Sequence, residues 1–425
     1  MIPRLKILLY ILMFFALKIN LFSQTIDTSI VEKYGQLRVE GNKIVNQFGT
    51  PIVLRGMSLF WSQWMAQYYN ENCITWLKED WKCTVVRAAM GVEMGGYLEN
   101  PTTEINKIKK VIEACIDEGL YVIVDWHDHH AHENENAAIE FFKEIATLYG
   151  NKSNIIYEIY NEPEQISWKN EVKPYSERVI NEIRSIDSNN IILVGSPTWS
   201  QDVDIAANDP IISKNIAYAL HFYAATHKQY LRDKAKNALA KGVALFVSEF
   251  GTCEANGSGI LDYGEMDEWL NFMEENKISW CNWSIADKQE TSSALMPGAS
   301  GQGGWIDTQI TESGKLIKQK ILVLNTPTNI KQEKEIIEKE FNLLQNYPNP
   351  FNSSTIISFS INKNSNIKFD IYNSLGEKVQ NILNGNYIKG DHSFTLNFLE
   401  YSSGNYFLSC EIENQRKIIK MQYLR

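Results

Sequence analysis

Cysteine is scarce, with six in 425 residues, and no two stand in a C-x-x-C spacing. Zinc-ribbon and dithiol redox chemistry are therefore excluded. Five of the six (Cys73, Cys83, Cys115, Cys253 and Cys281) precede residue 325, so at least one has no partner there. Cys115 falls in a helical pattern and Cys281 in a strand pattern, where a buried free thiol is the default, and no bridge is assigned. Positive charge is also short. There are 41 Lys and Arg against 51 Asp and Glu, a net charge of −10. That removes nucleic acid as a partner, because a phosphate binder needs a basic face. Long apolar runs are confined to Ile7 through Leu17, which follow Arg4 and Lys6 and precede Lys18 and a Ser23-Gln24 cleavage site. The run is shorter than the ~20 residues a bilayer span needs, so residues 1–23 read as a signal peptide, and no stable membrane span is expected.

What is present describes a globular chain, 44% hydrophobic and 22% charged, with 11 Trp and 20 Tyr. Residues 36–48 form a hairpin pattern. Eight apolar, β-branched runs follow, at 52–58, 84–90, 121–126, 155–160, 191–195, 216–222, 245–249 and 279–284. Amphipathic segments separate them, at 104–118, 137–149, 174–186, 228–240 and 265–274, and 312–322 closes the series. Strands alternating with helices predict a parallel sheet, and eight of them at this length predict an α/β fold, the closed (β/α)8 barrel, over residues 24–324. An open doubly wound sheet would place a Gly-rich phosphate turn after the first strand, and none occurs. Residues 325–340 are polar and charged and read as a linker. Residues 341–425 carry short alternating strands with Asn-Gly, Lys-Gly-Asp and Ser-Gly turns, the pattern of a small β-sandwich.

Reactive groups of such a barrel gather at the C-terminal ends of its strands. Those ends carry Arg87, Trp126-His127, Asn161-Glu162-Pro163, His221 with Tyr223, Glu249 and Trp283. Two carboxylates on the fourth and seventh strands, facing each other across the mouth, suit cleavage of an acetal: one protonates the leaving oxygen, and the other attacks the anomeric carbon or activates water. Glu162 is expected to be the acid, its pKa raised by burial and a nearby carboxylate, and Glu249 to stay ionised against Arg87. Asn161 is placed to bond a sugar 2-hydroxyl, Tyr223 to donate to Glu249, and Trp283 to floor the site. The competing reading is a metal site in Asp125-Trp126-His127-Asp128-His129-His130-Ala131-His132-Glu133, which holds four of the seven His. A metal-dependent barrel hydrolase would also recruit His and Asp from other strands, and those ends supply Glu, Arg, Trp and Asn.

Residues 35–320 resemble glycoside hydrolase family 5 and, within it, the bacterial endoglucanases. The blocks that carry the likeness are RGMS at 55–58, VVRAAM at 85–90, VDWH at 124–127, YEIYNEP at 157–163, TWSQDV at 198–203, ALHFYA at 219–224, VSEFGT at 247–252 and NWSIADK at 282–288. The resemblance implies a retaining double displacement on an internal β-1,4-glucosidic bond of cellulose or a related glucan, with no cofactor and no metal. It implies Glu162 as acid/base and Glu249 as nucleophile, supported by Arg87, His127, Asn161, His221 and Tyr223. Trp64, Trp199, Trp283, Lys288 and Glu290 match its sugar-binding positions. Two departures, Phe60 in place of a His-Gly pair and Gly91 in place of a Tyr, leave xyloglucan, mixed-linkage glucan or mannan open as substrates. With both Glu present, a catalytically dead carbohydrate binder is disfavoured. The tail, LLQNYPNPFNSSTIISFSI through IYNSLGEKV and SSGNYFLSC to a basic finish, is similar to C-terminal sorting domains of type IX secretion. That implies the secretion machinery as partner and a secreted or surface-attached enzyme; a monomer is expected. A carbohydrate-binding module is the alternative for this segment, but it contains no Trp to offer a sugar.

Overall fold

Eight short, near-continuously apolar strands, and apolar residues at three- and four-residue spacing on the helices between them, leave the chain one economical closure. The computed structural model describes residues 28–326, 341–343, 346 and 348–425, except 362, 399, 400, 413 and 414. The expected signal peptide and all but the first two residues of the expected linker lie outside them. The chain separates into two compact units at Pro327 and Thr328.

In the first unit a hairpin, β1 (Arg38–Glu40) and β2 (Lys43–Val45), precedes a closed parallel barrel. Its strands are β3 (Arg55–Leu59), β4 (Val85–Gly91), β5 (Tyr121–His127), β6 (Ile155–Glu158), β7 (Ile191–Val194), β8 (Ile216–Tyr223), β9 (Ala244–Gly251) and β10 (Ser279–Ile285). They pair in chain order, and β10 closes on β3. Helices return each strand to the next. Pro101–Glu118 shows why they form: Pro stands in its first turn, Ile105, Ile108, Val111, Ile112 and Cys115 make one buried stripe, and Gly119 ends it at φ 66°.

Period-two alternation sorts the barrel interior into levels. At the base, Leu54, Val85, Tyr121, Ile123, Ile156, Leu193, Ala217, Phe246 and Cys281 form one apolar cluster, capped by Leu37 and Ile44 of the hairpin segment. Two residues along β4 from Val85 stands Arg87, and two further stands Ala89, which packs with Phe60 and Trp283 under the cleft. One strand thus steps from apolar base to charged centre to cleft floor. All six cysteines are buried free thiols.

The strand limits differ from the sequence reading at the site. The first begins at Arg55 rather than Ile52, and β6 stops at Glu158, so Asn161 and Glu162 belong to the loop beyond it. A helix at Glu71–Glu79 escaped the periodicity because it is short. Between Phe246 and Glu249, β9 carries one residue more than β8 opposite it, a bulge.

The second unit is all β. A three-stranded sheet of β11 (Phe341–Leu343), β12 (Ser354–Ile361) and β15 (Gly390–Asn397) faces a four-stranded sheet of β14 (Lys378–Tyr387), β13 (Ser365–Tyr372), β16 (Gly404–Ile412) and β17 (Gln415–Tyr423). Ile357, Phe359 and Ile361 on β12 meet Ile367, Phe369 and Ile371 on β13 and Leu408, Cys410 and Ile412 on β16 in one core.

Gly56 of β3 marks the tightest backbone approach in the barrel, since a Cβ there would lie 1.7 Å from the carbonyl oxygen of Val85. Gly56→Ala is expected to lower the unfolding free energy of the first unit by about 3 kcal/mol or more, read from urea denaturation.

Candidate active site

The site is organised around Arg87, which is fully buried. Its Nε donates to Glu158 Oε2 at 2.8 Å, Nη1 to Glu249 Oε2 at 3.0 Å, and Nη2 to Asn161 Oδ1 at 2.7 Å. Nη2 also lies 2.9 Å from Asp125 Oδ2. The Asp125, Glu158 and Glu249 carboxylates overcome the burial of the guanidinium and hold its pKa well above the ordinary value. Tyr223 donates its hydroxyl to Glu249 Oε1 at 2.9 Å. With Oδ1 of Asn161 committed to Arg87, its Nδ2 is left a buried donor with no protein partner.

Glu162 faces His221, whose Nδ1 lies 3.0 Å from Glu162 Oε1 and whose Nε2 lies 2.9 Å from Ser248 Oγ. An oxygen of Glu162, one of Glu249 and a nitrogen of His221 all lie within 4.8 Å of one another. Burial pushes His221 down, but its bonds to Glu158 and Glu162 and the charges of Glu249 and Glu162 outweigh that and raise it to about 9. The imidazolium then corrects the expected protonation. Burial pushes Glu162 up, yet the hydrogen bond and charge of His221 leave it below its ordinary value. Glu249 is raised instead, first by burial and then by the charge of Glu162, against the pull of His221, Arg87 and Tyr223.

Two cavities meet at Glu162. One, about 490 Å3, is lined by Glu162, Thr198, Trp199, Gln201, His221 and His227, and the other, about 230 Å3, by Phe60, Trp61, His127, Glu249, Trp283, Lys288 and Glu290. His129, Glu162 and Tyr223 line both. Trp199 reaches the first cavity through an unusual turn: Thr198, Trp199 and Ser200 all have φ between 54° and 58°. Left-handed backbone at non-glycine residues costs about 1 kcal/mol or more each. Bonds from Trp199 N–H to Pro163 O and from Ser200 Oγ to Asn161 O fasten the turn to the Glu162 segment. In the second cavity Trp283 lies parallel to His127 at 5.1 Å and packs on Phe60 at 5.1 Å. Lys288 Nζ pairs with Glu290 at 2.6 Å and sits over the Phe60 ring, the residue that departs from the family pattern. The amide of Gln63 occupies the space above Gly91, the other departure. Trp64, half exposed, packs on Trp61 at the rim.

The sequence-adjacent histidines take separate partners. His127 Nδ1 meets Asp125 Oδ2 at 2.7 Å, and burial keeps its pKa well below the ordinary value. His132 Nδ1 meets the Tyr160 hydroxyl at 2.8 Å, and His130 lies 3.5 Å from Glu93. Glu93, Asp128 and His130 form the one metal-compatible group that this stretch contributes among the described residues, outside the Glu162–Glu249 pair. Sequence reasoning took Asp125 only as part of a metal-ligand stretch and overlooked Glu158 and Ser248. The signal for Glu158 was a lone carboxylate in an otherwise apolar strand. Ser248 could not be placed, since β9 carries its bulge there.

Residues 45–289 match the cellulase family (glycosyl hydrolase family 5), and residues 345–422 match the secretion system C-terminal sorting domain. An endoglucanase of Clostridium saccharobutylicum is 46% identical over 296 residues, which cover 69% of this chain and 66% of that protein, just under two thirds of its length. A solved structure from Cytophaga hutchinsonii is 56% identical with a TM-score of 0.70, covering 70% of this chain and 98% of that one. A variant of the Thermobifida fusca endoglucanase catalytic domain, solved in complex with cellotetraose, is 33% identical with a TM-score of 0.67, covering 69% and 99%.

A raised histidine pKa stabilises the fold below the unfolded value, about 6.5, and that stability is lost as pH rises through about 9. Thermal unfolding of the wild type should therefore drop between pH 6.5 and 9, and His221→Asn should flatten that drop. Parallel melting curves of the two proteins check this.

Proposed function

The chain belongs to glycosyl hydrolase family 5, and on that premise we propose that it is a retaining endo-β-1,4-glucanase in which Glu162 and Glu249 carry out a double displacement. The observation that carries the reading is the pair of carboxylates with oxygens within 4.8 Å, set where two cavities join. Retaining enzymes hold their carboxyl groups about 5–5.5 Å apart, whereas inverting ones leave room for a water at roughly 6.5–9.5 Å.

The neighbours divide the labour. Arg87 and Tyr223 aim Glu249 and stabilise its charge, so it is the nucleophile at the anomeric carbon. Glu162, with His221 beside it, protonates the leaving oxygen and then takes a proton from the water that releases the sugar. The unpaired Nδ2 of Asn161 fits a sugar 2-hydroxyl, a contact that strengthens as the anomeric centre gains positive charge. Trp283 supplies the floor of the site before the cleaved bond, and Trp199 supplies a stacking face after it, with Trp64, Lys288 and Glu290 serving more distant sugars. A glucan substrate accords with the endoglucanase relatives and with the cellotetraose bound by one of them. Mannan, xyloglucan and mixed-linkage glucan are the alternatives a substrate panel separates.

Residues 24–324 constitute the catalytic domain in this reading, and residues 1–23 and 341–425 act in export, the first as a leader and the second as the type IX sorting signal, with a monomeric enzyme released or held at the surface. A passenger fused to residues 341–425 should be secreted and should not adhere to cellulose.

The deciding assay is product release from soluble β-glucans by residues 24–325. Wild type should cut β-1,4-glucan with or without chelator, and Glu249→Gln should lose activity by a factor of at least ~10^4 while still binding oligosaccharide. Glu162→Gln should fail on glucan but still be glycosylated by an aryl cellobioside with a good leaving group. Activity lost only to chelator would instead favour a metal at the histidine-rich loop.

A further inference from the structure

Behind His221 a chain of hydrogen bonds runs away from the cleft into the barrel. Ser248 Oγ lies 2.6 Å from Glu158 Oε1 and 2.9 Å from His221 Nε2. Ser248 and Glu158 are both fully buried. Burial pushes Glu158 up, but the charges of Arg87 and His221 and their hydrogen bonds bring it down to about 2. An ionised carboxylate has no proton to give, so the Ser248 hydroxyl donates to Glu158. Its oxygen is then left to accept, and the group it faces is His221 Nε2, which must carry hydrogen. Nδ1 is therefore the position at which a proton comes and goes, and it points at Glu162 Oε1 from 3.0 Å.

We propose that Ser248 and Glu158 are positioning residues for the acid, fixing His221 with a permanent Nε2–H so that His221 Nδ1 and Glu162 share the single proton delivered to the leaving oxygen. The proposal rests on the two-glutamate reading above. At rest the pair is neutral overall, as imidazolium and carboxylate or as imidazole and carboxylic acid. In the first displacement the C–O electron pair of the broken glycosidic bond goes to the leaving oxygen, which takes the shared proton, while a Glu249 oxygen bonds the anomeric carbon. The pair then carries one negative charge. In the second displacement it recovers its proton from the attacking water, whose oxygen bonds the same carbon as the Glu249 ester bond breaks.

The other groups around the pair leave that proton to it. Arg87 on β4 is a permanent cation, and Asp125 on β5 is pushed well above its ordinary value by burial. His127, two residues on, is held neutral by burial. Glu249 on β9 and Glu158 on β6 supply negative charge that favours protonated His221. From the loops, His129 lies 3.9 Å from Glu162, and His227, which burial lowers to about 4, feels the Glu162 charge. Remove the Ser248 hydroxyl, and Nε2 keeps only Glu158 Oε1 at 3.5 Å, so the imidazole can place its one neutral-state hydrogen on Nδ1, where the resting bond to ionised Glu162 holds it back from the reaction.

The test compares wild type, Ser248→Ala and Ser248→Thr on β-glucan and on a dinitrophenyl cellobioside, whose departure needs no acid. Ser248→Ala should lose roughly tenfold in kcat on glucan and about twofold or less on the activated substrate, a milder form of Glu162→Gln. The alkaline limb of its glucan pH profile should move down by about one unit, and Ser248→Thr, which keeps the hydroxyl, should restore both. Equal losses on the two substrates with an unmoved profile would mean that Ser248 only supports packing and would overturn the proposal. The imidazole 15N spectrum of the wild type at about pH 10 reads the tautomer without turnover or any variant. Hydrogen on Nε2 supports the proposal, and hydrogen on Nδ1 sinks it. A wild type that cuts neither substrate defeats the glucanase reading instead, and the spectrum still decides the tautomer.

Discussion

A single buried cation dictates the arrangement of the barrel mouth. Taking a guanidinium out of water costs several kcal/mol unless it is paired and its donors are filled, and Arg87 has no solvent to fill them. Its side chain draws on three strands and a loop: Asp125 from β5, Glu158 from β6, Glu249 from β9 and the Asn161 amide beyond β6. Each partner is thereby fixed in position and orientation. But three carboxylates outweigh one guanidinium, and the excess has to be met. Burial drives Asp125 toward the protonated form, and His221 is drawn to the charged form next to Glu158 and Glu162. The protonation of the site thus follows from burial and from the carboxylates gathered there.

The β9 bulge is what lets two neighbours in sequence serve that centre together. Strict alternation would send Ser248 and Glu249 to opposite faces of the sheet. The extra residue between Phe246 and Glu249 relaxes that rule, so the Ser248 hydroxyl reaches Glu158 while the Glu249 carboxylate reaches Arg87 and Tyr223. The left-handed turn at Thr198 through Ser200 does comparable work on the other side of the cleft, tying Trp199 to the backbone of Asn161 and Pro163. Both devices use irregular backbone to bring side chains to a place that regular strands do not reach.

These irregularities mark the limit of what could be read from the chain alone. Strand number and order follow from eight apolar runs and the helical spacing between them, and the polar residue at each strand end is visible against an apolar run. Arg87, His127, Glu162, His221, Tyr223, Glu249 and Trp283 could all be picked out that way, and the structure gathers them around one cleft. Register shifts leave no such trace, which is why Ser248 stayed hidden. The protonation of Glu162 was misjudged for a related reason. Burial and a nearby carboxylate are predictable from strand positions, but a hydrogen bond from His221 is a matter of ångströms, and it reverses the sign.

That reversal bears on how the two glutamates, as the acid/base and nucleophile proposed above, are coupled. Glu249 is held up by burial and next by the charge of Glu162, and the attraction of His221 ranks behind both. When the shared proton shifts from His221 Nδ1 to Glu162, a negative and a positive charge vanish together beside Glu249. On the reading proposed above, the acid is armed by a single proton crossing a 3.0 Å hydrogen bond, and both charges that change stand beside Glu249. The coupling needs a histidine that releases only the Nδ1 proton, and it needs the two carboxylates close enough to sense each other, which is also the spacing that a covalent intermediate requires.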